Sequence, residues 1–174
     1  MNNFAKAGML TIALGAVFAS TDSNAALVVY GSAANAPGRC QAFTPGPSNT
    51  IRNRVVGSEN IGTPIAVACD FEAGVSNTST NVIAVDMWFS NNGTTPINVN
   101  CTMLNGWQGA EGAVLVNKSV SVDPGIQSEI LFDGDDLGEA DLGFSLVGVN
   151  CILPTKGVIN DTYVYWGDEN GVGS

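Results

Sequence analysis

The pentapeptide Val147-Gly148-Val149-Asn150-Cys151 is one of three copies of a motif, and the other copies are IAVAC at 65–69 and INVNC at 97–101. In each copy a branched aliphatic residue, a valine and a cysteine occupy alternate positions. Because a β-strand has a side-chain period of two, these three side chains share one face. The intervening residues are small or polar, as in strands that bury only one face. The motif therefore predicts three half-buried strands whose cysteines point into a core.

The first 25 residues are organised as an export signal. Lys6 precedes an apolar run at 7–19, and the segment ends in Ser23-Asn24-Ala25, with small residues where a signal peptidase cuts. The apolar run is shorter than the ~20 residues that a membrane-spanning helix needs. We therefore expect cleavage after Ala25, a single domain over residues 26–174, and a secreted product in the periplasm or outside the cell.

The chain contains four cysteines and no histidine, which favours disulfides over a metal cluster. Disulfides also suit the oxidising compartments that an exported protein reaches. Four cysteines allow three pairings. Proximity in sequence favours Cys40 with Cys69 and Cys101 with Cys151, and the other pairings stay open. Each bridge is expected to stabilise the fold by ~3 to 4 kcal/mol.

Strand-like segments recur at the short, regular spacing of an all-β protein, and no window shows sustained helical periodicity. The dipeptide Asn92-Gly93 is typical of a tight β-hairpin between the strands that flank it. We expect about eight strands in an antiparallel β-sandwich, with either Greek-key or jelly-roll connectivity. The predicted strands cover residues 27–32, 63–72, 81–90, 96–105, 112–123, 127–132, 143–153 and 161–166.

The cysteine contexts resemble those of a group of small secreted bacterial proteins with four cysteines and a β-rich fold. The shared features are V-x-C-T-L and V-x-C-x-[IL]-P strands, present here as VNCTM at 99–103 and VNCILP at 149–154. An export signal, a loop cysteine and a last strand with Tyr163-Val164-Tyr165 complete the resemblance. It implies a disulfide-bearing extracellular β fold. It implies no activity and brings no catalytic residues.

Most enzyme signatures are absent from the sequence. Without histidine there is no Ser-His-Asp triad, no Cys-His pair and no H-E-x-x-H motif, and neither G-x-S-x-G nor a phosphate-binding loop occurs. A two-carboxylate glycosidase stays open, because the sequence does not report how far apart carboxylates lie. Its candidate residues are Glu59, Glu72, Glu111 and Glu129. We expect a non-catalytic protein.

Two features are candidate ligand sites. Asp133, Asp135 and Asp136 belong to the acidic segment DGDDLGEAD at 133–141, whose carboxylates suit Ca²⁺ although the spacing does not fit an EF-hand. A solvated acidic turn is the alternative. Trp107, in the turn NGWQG at 105–109, is a candidate to stack on a sugar or a protein surface, or else to cover an edge of the core. No cofactor is expected, and calcium at the acidic segment is the one metal that stays open.

The net charge of −10 limits the partners. So acidic a protein is repelled by nucleic acid and by anionic membranes, and we expect neither as a partner. The leading hypothesis is an extracellular recognition module that contacts a glycan or a protein through loops at the strand ends. The alternative is a fimbria-like subunit, in which the apolar start at 26–30 adds a strand to a neighbour's sheet.

Overall fold

The computed structural model describes residues 28–43, 50–72, 80–106, 113–139, 142 and 146–168. These ranges are almost wholly antiparallel β-structure, with a one-turn helix α1 (Ala36–Arg39) and a 3-10 turn at Gly134–Asp136. Neither of these short helices has the length or the apolar character to cross a membrane. The strands in these ranges are β1 (Val28–Asn35), β2 (Cys40–Ala42), β3 (Ile51–Arg54), β4 (Gly57–Asn60), β5 (Ile65–Glu72), β6 (Thr80–Asn91), β7 (Ile97–Asn105), β8 (Val114–Val122), β9 (Gln127–Asp133), β10 (Leu146–Leu153) and β11 (Gly157–Asp168).

The strands form two sheets that enclose one hydrophobic core. Sheet A has the order β3-β4-β11-β6-β9, and β1 pairs with the part of β11 that β4 leaves unpaired. Sheet B has the order β2-β5-β10-β7-β8. The eight strands from β4 to β11 are divided between the sheets as β4-β11-β6-β9 and β5-β10-β7-β8, which is the arrangement of a jelly roll. The predicted antiparallel β-sandwich is confirmed, with jelly-roll connectivity.

All eight predicted strand segments overlap with a strand of the structure, namely β1 and β5 to β11. The short strands β2, β3 and β4 are not predicted from the sequence. Each has only three or four residues, which is too few to show an alternation of apolar and polar side chains.

The cysteine motif lies in sheet B, with its valine and cysteine side chains buried in every copy. The disulfides join Cys40 to Cys69 and Cys101 to Cys151, which is the pairing that sequence proximity favours. In both pairs the two cysteines are directly opposite each other on neighbouring strands. Each disulfide therefore ties two strands of sheet B together, β2 to β5 and β7 to β10.

The prediction of a hairpin at Asn92-Gly93 is wrong, because β6 lies in sheet A and β7 in sheet B. The chain turns a corner around the buried side chain of Asn91. Its Oδ1 accepts a hydrogen bond from the Gly93 N–H (2.7 Å), and its Nδ2 donates to the carbonyl oxygens of Thr95 (2.8 Å) and Val122 (3.0 Å). A Cβ at position 93 would lie 2.9 Å from Asn91 Oδ1, so any larger residue would displace the Asn91 amide from its hydrogen bonds.

A second corner of the same kind carries the chain from β4 in sheet A to β5 in sheet B. The fully buried Asn60 accepts hydrogen bonds at Oδ1 from the Gly62 N–H (3.0 Å) and from Thr50 Oγ1 (2.5 Å). Its Nδ2 donates to the carbonyl oxygens of Thr63 and Leu153, both at 2.8 Å. The two donors and two acceptor positions of the amide are all used. Asn-x-Gly thus marks two of the connections, β4 to β5 and β6 to β7, that carry the chain from sheet A to sheet B.

Lys118 closes the side of the sandwich where β8 and β9 lie. Its Nζ donates to the carbonyl oxygen of Leu131 at 2.6 Å and pairs with Asp136 Oδ1 at 2.6 Å. The same nitrogen lies 5.6 Å from the centroid of the Phe132 ring. Because Lys118 belongs to sheet B and its partners lie on or just after β9 of sheet A, these contacts join the two sheets.

Strand β1 pairs along its whole length with β11 of the same chain, from Val28 opposite Asp168 to Asn35 opposite Asp161. The fimbria-like alternative assigns the apolar start at 26–30 to a neighbouring molecule. Positions 28–30 instead lie in this intramolecular pair, while 26 and 27 lie outside the described residues.

Candidate functional site

The outer face of sheet B carries a groove of about 390 Å³ that runs over β5, β10, β7 and β8. A volume of this size falls within the ~300 to 1,000 Å³ typical of small-ligand sites. Most of the residues that line it alternate with the buried residues of the cysteine motif, and Leu115 of β8 and Phe43, which follows β2, line its sides.

Small side chains on the central strands create the depression. Ala68 on β5 and Gly148 on β10 face outward, because the valines and cysteines beside them face the core. Gly148 lies opposite Asp70 on one neighbouring strand and opposite Leu104 on the other. A Cβ at position 148 would have one atom within 4 Å, Asp70 Oδ1 at 3.9 Å. The floor of the groove is therefore open at Gly148.

Apolar side chains line the two sides of the groove. Leu104 on β7 and Leu115 on β8 are cross-strand partners, and Leu115 is 64% exposed. On the other side, Phe43 follows β2 and is 72% exposed. Its N–H donates to the carbonyl oxygen of Ala66 at 2.9 Å, which places Phe43 beside β5. Large apolar side chains that are exposed together around a concave surface are typical of a binding site.

Polar side chains form a row next to the leucines. Asn150 on β10, Thr102 on β7 and Asn117 on β8 lie side by side in the register. Thr102 Oγ1 donates to Asn117 Oδ1 at 2.6 Å, which orients the Asn117 amide. Asp70 adds a carboxylate on β5. Lysine and arginine are absent from the described lining residues, so the groove offers an amide, a hydroxyl and one carboxylate.

Both disulfides hold strands that form the groove. The Cys40–Cys69 bridge fixes β2, which leads directly to Phe43, against β5. The Cys101–Cys151 bridge fixes β7 against β10. Strands that are already fixed lose little conformational entropy when a ligand binds, so the scaffold is suited to binding.

Comparison with known proteins gives matches only among solved structures. No protein-family model matches the chain, and no curated protein matches it. An exo-beta-1,3-galactanase from Phanerochaete chrysosporium is 14% identical with a TM-score of 0.42, over 78% of this chain and 29% of its own. The CBM35 of Cellvibrio japonicus Abf62 is 16% identical with a TM-score of 0.36, over 86% and 94%. The Tobacco streak virus coat protein is 13% identical with a TM-score of 0.39, over 87% and 90%.

These matches do not indicate a function. They include an enzyme, a carbohydrate-binding module and a viral coat protein, all at low identity and with weak superposition. Folds of this kind carry many unrelated functions, so function has to be argued from the site.

The predicted calcium ligands lie at the end of β9, away from the groove. The Asp133 N–H donates to Asp136 Oδ2 at 3.0 Å in a reciprocal cap of the 3-10 turn, and Asp136 Oδ1 pairs with Lys118. Asp135 is exposed. Within the ranges that the structure describes, no three acidic, cysteine or histidine side chains are grouped to hold a metal ion. Calcium binding by this segment stays a prediction.

Trp107 and Glu111 lie outside the described residues, so their proposed roles stay predictions. The other glutamates of the glycosidase alternative lie on three different strands, two of them in sheet A and one in sheet B. Glu59 on β4 is buried in an ion pair, Glu129 lies on β9 in sheet A, and Glu72 ends β5 in sheet B. Of these, only Glu72 belongs to a strand that contributes to the groove, and it is not a lining residue.

Proposed function

We propose that this protein is a secreted, non-catalytic binding module that takes a neutral glycan in the groove on the outer face of sheet B. The observation that carries the proposal is the apolar row beside a polar row on one disulfide-braced face. A sugar ring has apolar C–H faces and a rim of hydroxyl groups. In an oligosaccharide that lies across the strands, the faces of different rings pack against Phe43 on one side and Leu115 on the other, and hydroxyls hydrogen-bond to Asn150 and Asp70.

The charge of the groove selects against anionic ligands. Asp70 is the one charged side chain among its described lining residues, and the chain carries a net charge of −10. A phosphate or carboxylate ligand would be repelled and would find no cation in the groove to offset its desolvation. A neutral, hydroxyl-rich ligand is not repelled by the negative charge and needs no cation to offset its desolvation.

The composition of the groove supports binding over hydrolysis. Glycoside hydrolysis uses two carboxyl groups on either side of the scissile bond. The described part of the groove contributes one, Asp70. The two disulfides form in oxidising compartments, which supports export and the interpretation of residues 1–25 as a signal peptide.

The main test fills the groove with a side chain. Affinity electrophoresis in gels that contain soluble neutral polysaccharides, such as xylan, a β-linked glucan, galactomannan and hydroxyethylcellulose, should retard the wild-type protein in at least one gel. Gly148→Ile should abolish this retardation. Since a Cβ at position 148 meets only Asp70 Oδ1 at 3.9 Å and isoleucine suits a strand, the variant should melt no lower than the wild type.

Asn100→Ile is the matched control, because it places the same side chain on the same face outside the groove and should leave the retardation unchanged. Phe43→Ala should weaken binding about tenfold, in the range of an aromatic contact. Val55→Ala, at a site that is 91% exposed between β3 and β4, is its control. Full retardation of folded Gly148→Ile, or no retardation of the wild type in any gel, contradicts the proposal.

A further inference from the structure

The outer face of sheet A, on the other side of the sandwich, carries aromatic rings. Trp88 on β6 and Tyr163 and Tyr165 on β11 face outward, because the residues that alternate with them, such as Met87 and Val164, are in the core. All three rings are partly exposed. Aromatic side chains that share an outer face and remain in contact with solvent are available to contact a ligand.

Asp86 lies in the middle of this aromatic face. The register places it between Tyr163 on β11 and Leu131 on β9. It is only 8% exposed, and its Oδ2 accepts a hydrogen bond from Trp88 Nε1 at 2.7 Å. Its Oδ1 is buried without a hydrogen-bond partner among the described residues. A carboxylate held in such surroundings is unfavourable unless a positive charge comes near it.

More negative charge surrounds Asp86, and no lysine or arginine on the strands of this face offsets it. Glu129 is the cross-strand partner of Trp88, and Asp133 is that of Ala84. The four strands that form this face, β1, β11, β6 and β9, contain neither lysine nor arginine. Burial raises the pKa of the Asp86 carboxyl and the charge of Glu129 adds to this rise, while hydrogen bonds from the Trp88 side chain and the Met87 backbone lower the pKa in part. The face therefore lacks a cation.

We infer that the outer face of sheet A is a second binding site, which takes a ligand through a quaternary ammonium group. The cation lies over the rings of Trp88 and Tyr163, where the negative π-faces attract it. Asp86 and Glu129 supply the counter-charge. A trimethylated ammonium group suits this arrangement, because its methyl groups pack on the rings while its charge acts on carboxylates that it does not hydrogen-bond. This site is independent of the glycan groove, which lies on the opposite sheet.

The test compares choline with its neutral isostere, in which a tert-butyl group replaces the trimethylammonium group. Both are titrated into the mature secreted protein while the indole N–H resonance of Trp88 is followed by NMR, with Trp88→Phe serving to assign it. Choline should shift this resonance saturably at millimolar concentration. The isostere, which has the same shape without the charge, should not.

Asp86→Asn should weaken choline binding on the order of tenfold, because the ring remains and the charge is lost. This variant removes a buried charge, so it is expected to fold. Trp88→Ala should abolish binding, and because this variant lacks the indole probe, it is followed through the backbone amide resonances of Asp86 and Tyr163. Glu72→Gln removes one negative charge from sheet B and is the control for net charge, with unchanged affinity expected. Equal shifts from choline and its isostere, no saturable shift, or wild-type affinity in Asp86→Asn would each overturn the inference.

Discussion

Asn60→Ala removes four hydrogen bonds at once from the corner between β4 and β5. Three of them, with Thr50, Gly62 and Thr63, are only partly buried, so water replaces the lost side chain. The fourth partner, the carbonyl oxygen of Leu153, is fully buried and would stay unsatisfied. The substitution therefore removes three hydrogen bonds that water can replace and leaves one buried carbonyl oxygen without a hydrogen bond.

The expected magnitude follows from these counts. A replaced hydrogen bond contributes about 1 kcal/mol and a buried unsatisfied group about 2 kcal/mol, which gives a loss of roughly 5 kcal/mol in the free energy of unfolding. Total stabilities are typically ~5 to 15 kcal/mol, so this is a large share. At about 3 °C per kcal/mol for a domain of this size, the melting temperature should fall by roughly 15 °C.

Guanidinium and thermal unfolding followed by circular dichroism would measure this change. Asn98→Ala, at an exposed position on β7, is the matched control and should stay within about 0.5 kcal/mol of the wild type. Asn60→Asp keeps the two acceptor roles but cannot donate to Leu153, so it should also be strongly destabilised. If Asn60→Ala lost less than about 1 kcal/mol relative to Asn98→Ala, the reasoning about the corner would be refuted.

Three further outcomes are expected. Replacing Cys40 and Cys69 together by alanine opens a loop of 29 residues and should lower the free energy of unfolding by about 3.6 kcal/mol. The melting temperature should fall and glycan binding should weaken. Unchanged binding would show that the disulfide does not support the groove. Because the pKa of Asp86 is raised in the folded state, its ionisation destabilises the fold as pH rises from the unfolded to the folded pKa. The free energy of unfolding of Asp86→Asn, measured relative to the wild type in denaturation curves, should therefore increase through that pH range. A difference that did not change with pH would contradict a raised pKa for Asp86. If the acidic segment that begins at Asp133 binds calcium, millimolar Ca²⁺ raises the melting temperature and a chelator reverses it, whereas an indifferent melting curve removes the calcium prediction.

The alternation in the cysteine motif was enough to predict the buried faces of sheet B. Where apolar residues alternate, hydrophobic burial alone decides which side of a strand faces the core. The corner at Asn92-Gly93 could not be predicted in the same way. The dipeptide suits a tight turn in either case, and the choice between hairpin and corner depends on the contact of Asn91 with Val122, which lies 31 residues later.

The groove depends on which strands are neighbours and on their register. No local sequence pattern predicts either. The sequence shows that Ala68, Gly148 and Asn150 are small or polar residues on exposed faces. It does not show that β5, β10, β7 and β8 are neighbours, which is what brings these positions together with Leu115. Phe43 lies beyond any predicted strand. The role of Trp107 and the resemblance to secreted four-cysteine proteins stay predictions.

The central claim is that a glycan binds across the outer face of sheet B. Its most direct test is amide chemical-shift mapping, with an oligosaccharide prepared from whichever polysaccharide retards the protein in the gel. The account predicts that the largest shifts cluster at Asp70, Thr102 and Gly148, on three neighbouring strands. Shifts confined to the turn around Trp107 or to sheet A, with those three amides unmoved, would contradict it.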